Sequence, residues 1–280
     1  MAVASMRHII LHGHIFKNAG TTFDWSLRRN FGDAFLDHRD DAQMIADGRA
    51  HLLHLVVEQQ ALQAISSHHM TGDLPVVPGV SFLPLFFLRH PIARVRSVYD
   101  FERQQQADTP GARAAKEKSF RDYVQWRMQP EVRRTIRNYQ TMYLAGQRDF
   151  CSDQEMTEIH FNAALQNLRN AAGVGIVERY DESMVVLEEA LRAVFPAIDL
   201  SYVAQNVSGA TPVVNGVDAT VAAVLNELGA LQRPLIDENS LDLALYQVAC
   251  LQLQARIDCI EQFPQKLAAF RSRCEAHCTN

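Results

Sequence analysis

The chain has 280 residues, 48% of them hydrophobic, enough for the core of one large α/β domain, and residues 1–280 read as that single domain. A formal net charge of −5 and a pI near 6.1 argue against nucleic acid as a general partner. No apolar run reaches the roughly 18 residues of a membrane span, because the longest, 76–88, is broken by Pro78, Gly79 and Pro84. The first residues lack the pattern of a signal peptide, and five scattered cysteines suit reduced thiols, so a cytoplasmic location is expected. Hydrophobic periodicity predicts strands at 7–11, 62–67, 81–88 and 173–177. It predicts helices at 21–31, 47–60, 92–105, 120–128, 131–145, 182–194, 219–229 and 241–263. The polar stretch 104–118, with Thr109-Pro110-Gly111, reads as an exposed loop. This alternation implies an α/β fold: a mostly parallel sheet flanked by helices, with additional helices at the C-terminal end.

Two stretches carry chemistry. The first, HIFKNAGTTF (14–23), sets Lys17 in a loop of small residues between a predicted strand and a predicted helix. Unpaired N–H groups and the dipole at a helix N-terminus attract anions, so this loop is a candidate phosphate site. It lacks the Gly-Lys-Ser/Thr of nucleotide-triphosphate loops, since Lys17 stands three residues before Gly20. Only four lysines occur (17, 116, 118 and 266) among 27 basic residues, so a point charge at position 17 stands out against a general use of arginine. The second stretch, FFLRHPIARVRSVYDF (86–101), ends a predicted strand at Arg89 and opens a helix at Pro91, with Ser97 two turns inside. Ligands of open parallel sheets bind at that strand edge, where arginine can grip a phosphate through two parallel hydrogen bonds. The plainer reading makes Arg89 a salt-bridge residue and Ser97 a packing residue.

Together these stretches resemble the sulfotransferases that use 3′-phosphoadenosine 5′-phosphosulfate, in the branch of the heparan sulfate 2-O- and 6-O-sulfotransferases and their bacterial relatives. Their first loop reads HIPKTAGTTF or nearly so, and their second LRDPVERFLSAY. Further segments are similar in the same order: NYQTMYLAG (138–146), GIVERYDESMVVL (175–187) and ENSLDLALY (238–246). The resemblance implies a fold of the P-loop type. It implies that Lys17, Asn18, Ala19, Gly20, Thr21 and Thr22 bind the 5′-phosphosulfate, with Lys17 also catalytic, and that Arg89 and Ser97 hold the 3′-phosphate. Phe16 replaces the loop proline and His90 replaces an aspartate, so the constraint or contact those residues make elsewhere is lost here.

The family also takes a proton from its acceptor, using a loop of the form G-H-x-x-x-G whose counterpart is ISSHHMTGDLP (65–75). His69, three residues before Gly72, is taken as the base, with His68 its close rival; Asp73 and Glu178 are weaker alternatives. A histidine near its ordinary pKa suits base work at neutral pH. Asn206 and Ser208 are further candidates for the donor site. The implied reaction is in-line sulfuryl transfer to a hydroxyl, on a carbohydrate or glycoconjugate, and no carboxylate cluster near the loop is spaced to hold magnesium. Loop 104–118, with Arg103, Arg113, Lys116 and Lys118, is the expected acceptor segment. The competing readings are a P-loop kinase using ATP and a nucleotide-binding protein of the same fold without catalysis.

Overall fold

The structure, a computed structural model, describes residues 6–70, 72–147, 155–205 and 216–278. The chain divides into two compact units: Met1–Leu88, Gln166–Asn206 and Ala249–Asn280 form the first, and Arg89–Leu165 with Val207–Val248 the second.

The first unit holds a five-stranded, all-parallel sheet of order β2-β3-β1-β4-β5. Its strands are β1 (Arg7–Gly13), β2 (Phe35–His38), β3 (Ala64–Ser67), β4 (Val80–Leu88) and β5 (Gly173–Ile176). Side chains alternate along β1. Ile9 and Leu11 pack with Ile65 of β3 and with Leu52 and Val56 of helix α2 (Asp41–Glu58). On the opposite face the His12 ring meets Phe87 of β4 and Phe23 of helix α1 (Gly20–Phe31). Both faces are buried, which is why the central strands read as continuous apolar runs. Helix α8 (Tyr180–Leu191) follows β5 and packs on it. The second unit is helical: α3 (Pro91–Gln104), α4 (Pro110–Glu117), α5 (Phe120–Arg127), α6 (Tyr139–Leu144), α9 (Gly216–Leu228) and α10 (Gln232–Asp237). Helices α7 (Glu158–Asn170), α11 (Ser240–Asp258) and α12 (Phe263–Cys278) complete the described chain.

The α/β class, the parallel sheet and all four predicted strands are present. Four expectations are corrected. Strand β2 was not predicted; FLDH is four residues long with two polar members, too short for a period to show. The stretch 104–118 is not a loop throughout, because Pro110 opens α4, Thr109 accepts from the Ala112 N–H as its cap, and Gly111, Ala112, Ala114 and Ala115 are buried. Thr-Pro reads as a turn signal, yet proline also suits the first turn of a helix. The helix predicted at 131–145 begins only at Tyr139, after Asn138 adopts a left-handed conformation (φ 43°). The helix predicted at 241–263 stops at Asp258, and after Gln262 at φ 56° a separate α12 starts with Pro264 in its first turn.

Candidate active site

In the first unit the register pairs Gly13 at the end of β1 with both Ser67 at the end of β3 and Phe86 of β4. Sheet order places β3 and β4 on opposite sides of β1, so the chain reverses direction across the sheet at β1, and the loop after β1 occupies the position where such sheets bind ligands. That loop is Lys17's. Lys17 and Ala19 both take left-handed conformations, at φ 64° and 59°, and so turn the backbone sharply before α1. A non-glycine residue there costs about 1–3 kcal/mol and persists only where its surroundings hold it. Asn18, 1% exposed, supplies part of that hold by donating its Nδ2–H to the Phe87 carbonyl at 2.7 Å. Thr22 and Phe23 donate backbone N–H to Ala19 O, whereas those of Gly20 and Thr21 meet no protein acceptor among the described residues. Thr21 is exposed; Thr22 is buried, its Oγ1 accepting from the Gln205 N–H. Two donors, a half-buried lysine and a helix N-terminus therefore share one turn of chain, a fit for the oxygens of an anion.

Beneath the loop lies a buried cluster that the sequence reading passed over. His12 and His14 share one face of the chain leaving β1, with rings 5.3 Å apart. Both Nδ1 atoms reach Asp24 of α1, His12 to Oδ1 at 2.7 Å and His14 to Oδ2 at 2.9 Å. Asp24 is 5% exposed. Burial pushes its carboxyl up, but the His12 ring and the two imidazole bonds outweigh that and hold it well below the usual carboxylate range. His14 in turn lies against Gly20: a Cβ there would fall 2.2 Å from the ring, so the loop's glycine is required by packing. The His68 ring lies 4.1 Å from that of His14, tilted 42° to it, and its Nδ1 donates to the His14 carbonyl at 2.9 Å. His12, His14 and Asp24 are the one group among the described residues with three metal-ligand-type atoms close together, but hydrogen bonds already join those atoms. The signal for this cluster was an H-x-H pair ending a strand, with an aspartate at the fifth position of the next helix.

The two candidate bases differ. Burial, with His14 and Arg39 adding like charge, lowers His68 to about 4. His69 has a side chain 10% exposed, its Nε2 3.9 Å from Asp41 Oδ2. Glu178 lies in a 3₁₀ turn just beyond β5, and Asp73 is paired with Arg49 at 2.7 Å. A histidine neutral in the fold and charged in the unfolded chain makes the unfolded state bind more protons. Stability should therefore fall as pH drops through 6.5 and level off near 4, by about 3 kcal/mol for His68 alone. Urea midpoints measured from pH 7 to 4 check this, and a His68→Gln variant should show a smaller drop.

In the second unit Arg89 precedes α3 and is half-buried, while Ser97, in α3, is 7% exposed. The Gln140 side chain clamps Arg89's backbone twice, its Oε1 accepting from the Arg89 N–H and its Nε2 donating to the Arg89 carbonyl, both at 2.9 Å. Gln140 is held by Asp242, which accepts from the N–H groups of Gln140 (3.0 Å) and Thr141 (2.7 Å). Asn138 and Asn239 lock the same corner: Asn239 Oδ1 accepts from Asn138 N–H and Asn138 Oδ1 from Asp242 N–H. Two of the resembling segments, 138–146 and 238–246, are thus partners in one buried scaffold for Arg89. Burial raises the Asp242 carboxyl, against the pull of those N–H groups. Asp242→Ala leaves two buried donors unmatched, at about 1–3 kcal/mol each, and should lower stability by several kcal/mol in urea unfolding. Asn206 and Ser208 lie outside the described residues.

The sequence model of the Sulfotransferase family matches residues 2–174. A protein of Archaeoglobus fulgidus, described only as uncharacterized, is 28% identical over 247 residues, spanning 86% of this chain and 95% of its own.

Proposed function

Because the chain belongs to the sulfotransferase family, we propose that it moves a sulfuryl group from 3′-phosphoadenosine 5′-phosphosulfate to an acceptor hydroxyl. The observation that carries this reading is the Lys17 loop, with its two left-handed residues and the open N–H groups of Gly20 and Thr21. Asn18, Ala19 and Thr22 complete the loop that receives the 5′-phosphosulfate, and Arg89 and Ser97 receive the 3′-phosphate. The acceptor oxygen attacks sulfur while the bond from sulfur to the 5′-phosphate oxygen breaks. Lys17 offsets the charge that grows on that leaving oxygen, and a histidine at the end of β3 takes the hydroxyl proton. A sulfuryl group carries less charge than a terminal phosphoryl group, so the reading includes no metal.

His69 is the sequence's choice of base. The bond from His68 Nδ1 to the His14 carbonyl supports His68 instead, since a carbonyl only accepts: the proton must sit on Nδ1, leaving Nε2 bare. The acceptor class we propose is a carbohydrate or glycoconjugate, as in the resembling branch, modified in the cytoplasm by one domain spanning 1–280. Thermal shift tests the donor. Adenosine 3′,5′-bisphosphate should stabilise the protein without magnesium. Stabilisation by ATP with magnesium alone would favour the kinase reading. Arg89→Ala should weaken the bisphosphate by about 1.5–3 kcal/mol and leave adenosine 5′-phosphate nearly unaffected. Equal loss of both would make Arg89 structural.

A further inference from the structure

We propose that Asp24, acting through His14, is a positioning residue that holds His68 in its proton-accepting form. The inference rests on the sulfotransferase reading and deepens it. Three hydrogen bonds carry the argument. An ionised carboxylate can only accept, so the imidazole nitrogens that Asp24 meets, Nδ1 of His12 and Nδ1 of His14, must both carry protons. His14 is depressed by burial, the Asp24 bond opposing, so its ring is neutral near pH 7 and its Nε2 is bare. The His14 carbonyl fixes His68 in the same tautomer, and the His14 ring forms the wall against which the tilted His68 ring packs. In water a neutral histidine has no such constraint; here each ring's donor is committed at Nδ1 by a buried acceptor.

The strand register explains why these rings meet. Gly13 pairs with Ser67, and the His14 N–H donates to the Ser67 carbonyl at 3.0 Å, so the next residue of each chain, His14 and His68, leaves the sheet side by side. Asp24 reaches them from α1, which the loop itself starts. The loop and the base are thereby tied to one carboxylate: His14 packs under Gly20 on one side and against His68 on the other. When the acceptor proton passes to Nε2 of His68, the imidazolium that forms lies against the His14 ring, whose Nδ1–H is held by the Asp24 carboxylate. The other charged or titratable groups around the pair are Arg39, whose Nη2 is 4.0 Å from Asp24, Asp41 beside His68, His12, and Tyr180 facing Asp24.

The first test reads the wild-type protein. Nitrogen-15 spectra of histidine-labelled protein at pH 7, assigned with His14→Gln and His68→Gln, should show both rings protonated at Nδ1 and bare at Nε2. Either ring found with its proton on Nε2 overturns the proposal. The second test is kinetic. Asp24→Asn should retain the thermal shift with adenosine 3′,5′-bisphosphate, lower sulfuryl transfer about ten- to a hundredfold, and move His14 out of the Nδ1–H tautomer. In a His68→Ala background the same substitution should change the residual rate by less than about twofold, because its effect passes through that ring. Full additivity of the two losses would overturn the proposal. Absence of any transfer by the wild-type protein, with the tautomers as stated, would sink the functional reading instead.

Discussion

Lys17→Ala should lower turnover by about a hundred- to a thousandfold and also weaken adenosine 3′,5′-bisphosphate. The two effects have different origins. In its proposed role Lys17 meets an anion already charged in the ground state, so its removal should weaken binding. As the bond from sulfur to the 5′-phosphate oxygen breaks, further charge gathers on that oxygen, and a fixed cation stabilises it more than the ground state. Turnover should therefore fall by more than affinity does. Calorimetry with the bisphosphate, beside initial rates at saturating donor, separates the two. Lys17→Arg should recover little, because the sharp left-handed turn at position 17 sets a compact ammonium, and a wide guanidinium fork needs different space. Unchanged turnover in Lys17→Ala would remove the loop from catalysis.

The second large effect is expected at the end of β3. Removing a general base commonly costs about a hundred- to ten-thousandfold in rate. His68→Ala should show that loss with bisphosphate binding nearly intact, since the proposed role of His68 touches only the acceptor's proton. His69→Ala is the control that the sequence demands. If His69→Ala is the crippled variant and His68→Ala transfers sulfate normally, the base is His69, and its contact with Asp41 becomes the relevant one. If both variants and their double retain full rates, Glu178 or Asp73 is the group to replace next.

What the sequence revealed and concealed follows from range. The parallel sheet was legible because β1 and β4 are buried on both faces and announce themselves as apolar runs. The Lys17 loop was legible because strand, small-residue loop and helix are contiguous. The cluster beneath it was not, since His14, Asp24 and His68 are brought together by strand register and by the helix that follows the loop. The choice between His68 and His69 could have been sharper on spacing alone: the family form puts its second glycine four residues after the histidine, which fits His68 and Gly72. Segments 138–146 and 238–246 were legible only as stretches similar to the family's and prove to be each other's hydrogen-bond partners, which no local pattern could show. In 104–118 the mixed charges disguised a helix whose alanines are buried, while Arg113 and Lys116 of α4 stay exposed on its outer side.

Sulfuryl transfer can be read by following the sulfur atom itself. The protein is incubated with donor carrying radiolabelled sulfate and with fractionated cell extract, without added metal, and labelled products are separated from donor. Label should appear in a hydroxyl-bearing, carbohydrate-containing fraction with the wild-type chain, and almost none with Lys17→Ala. Label remaining in the donor across every fraction, or equal labelling by Lys17→Ala, would contradict the sulfotransferase reading.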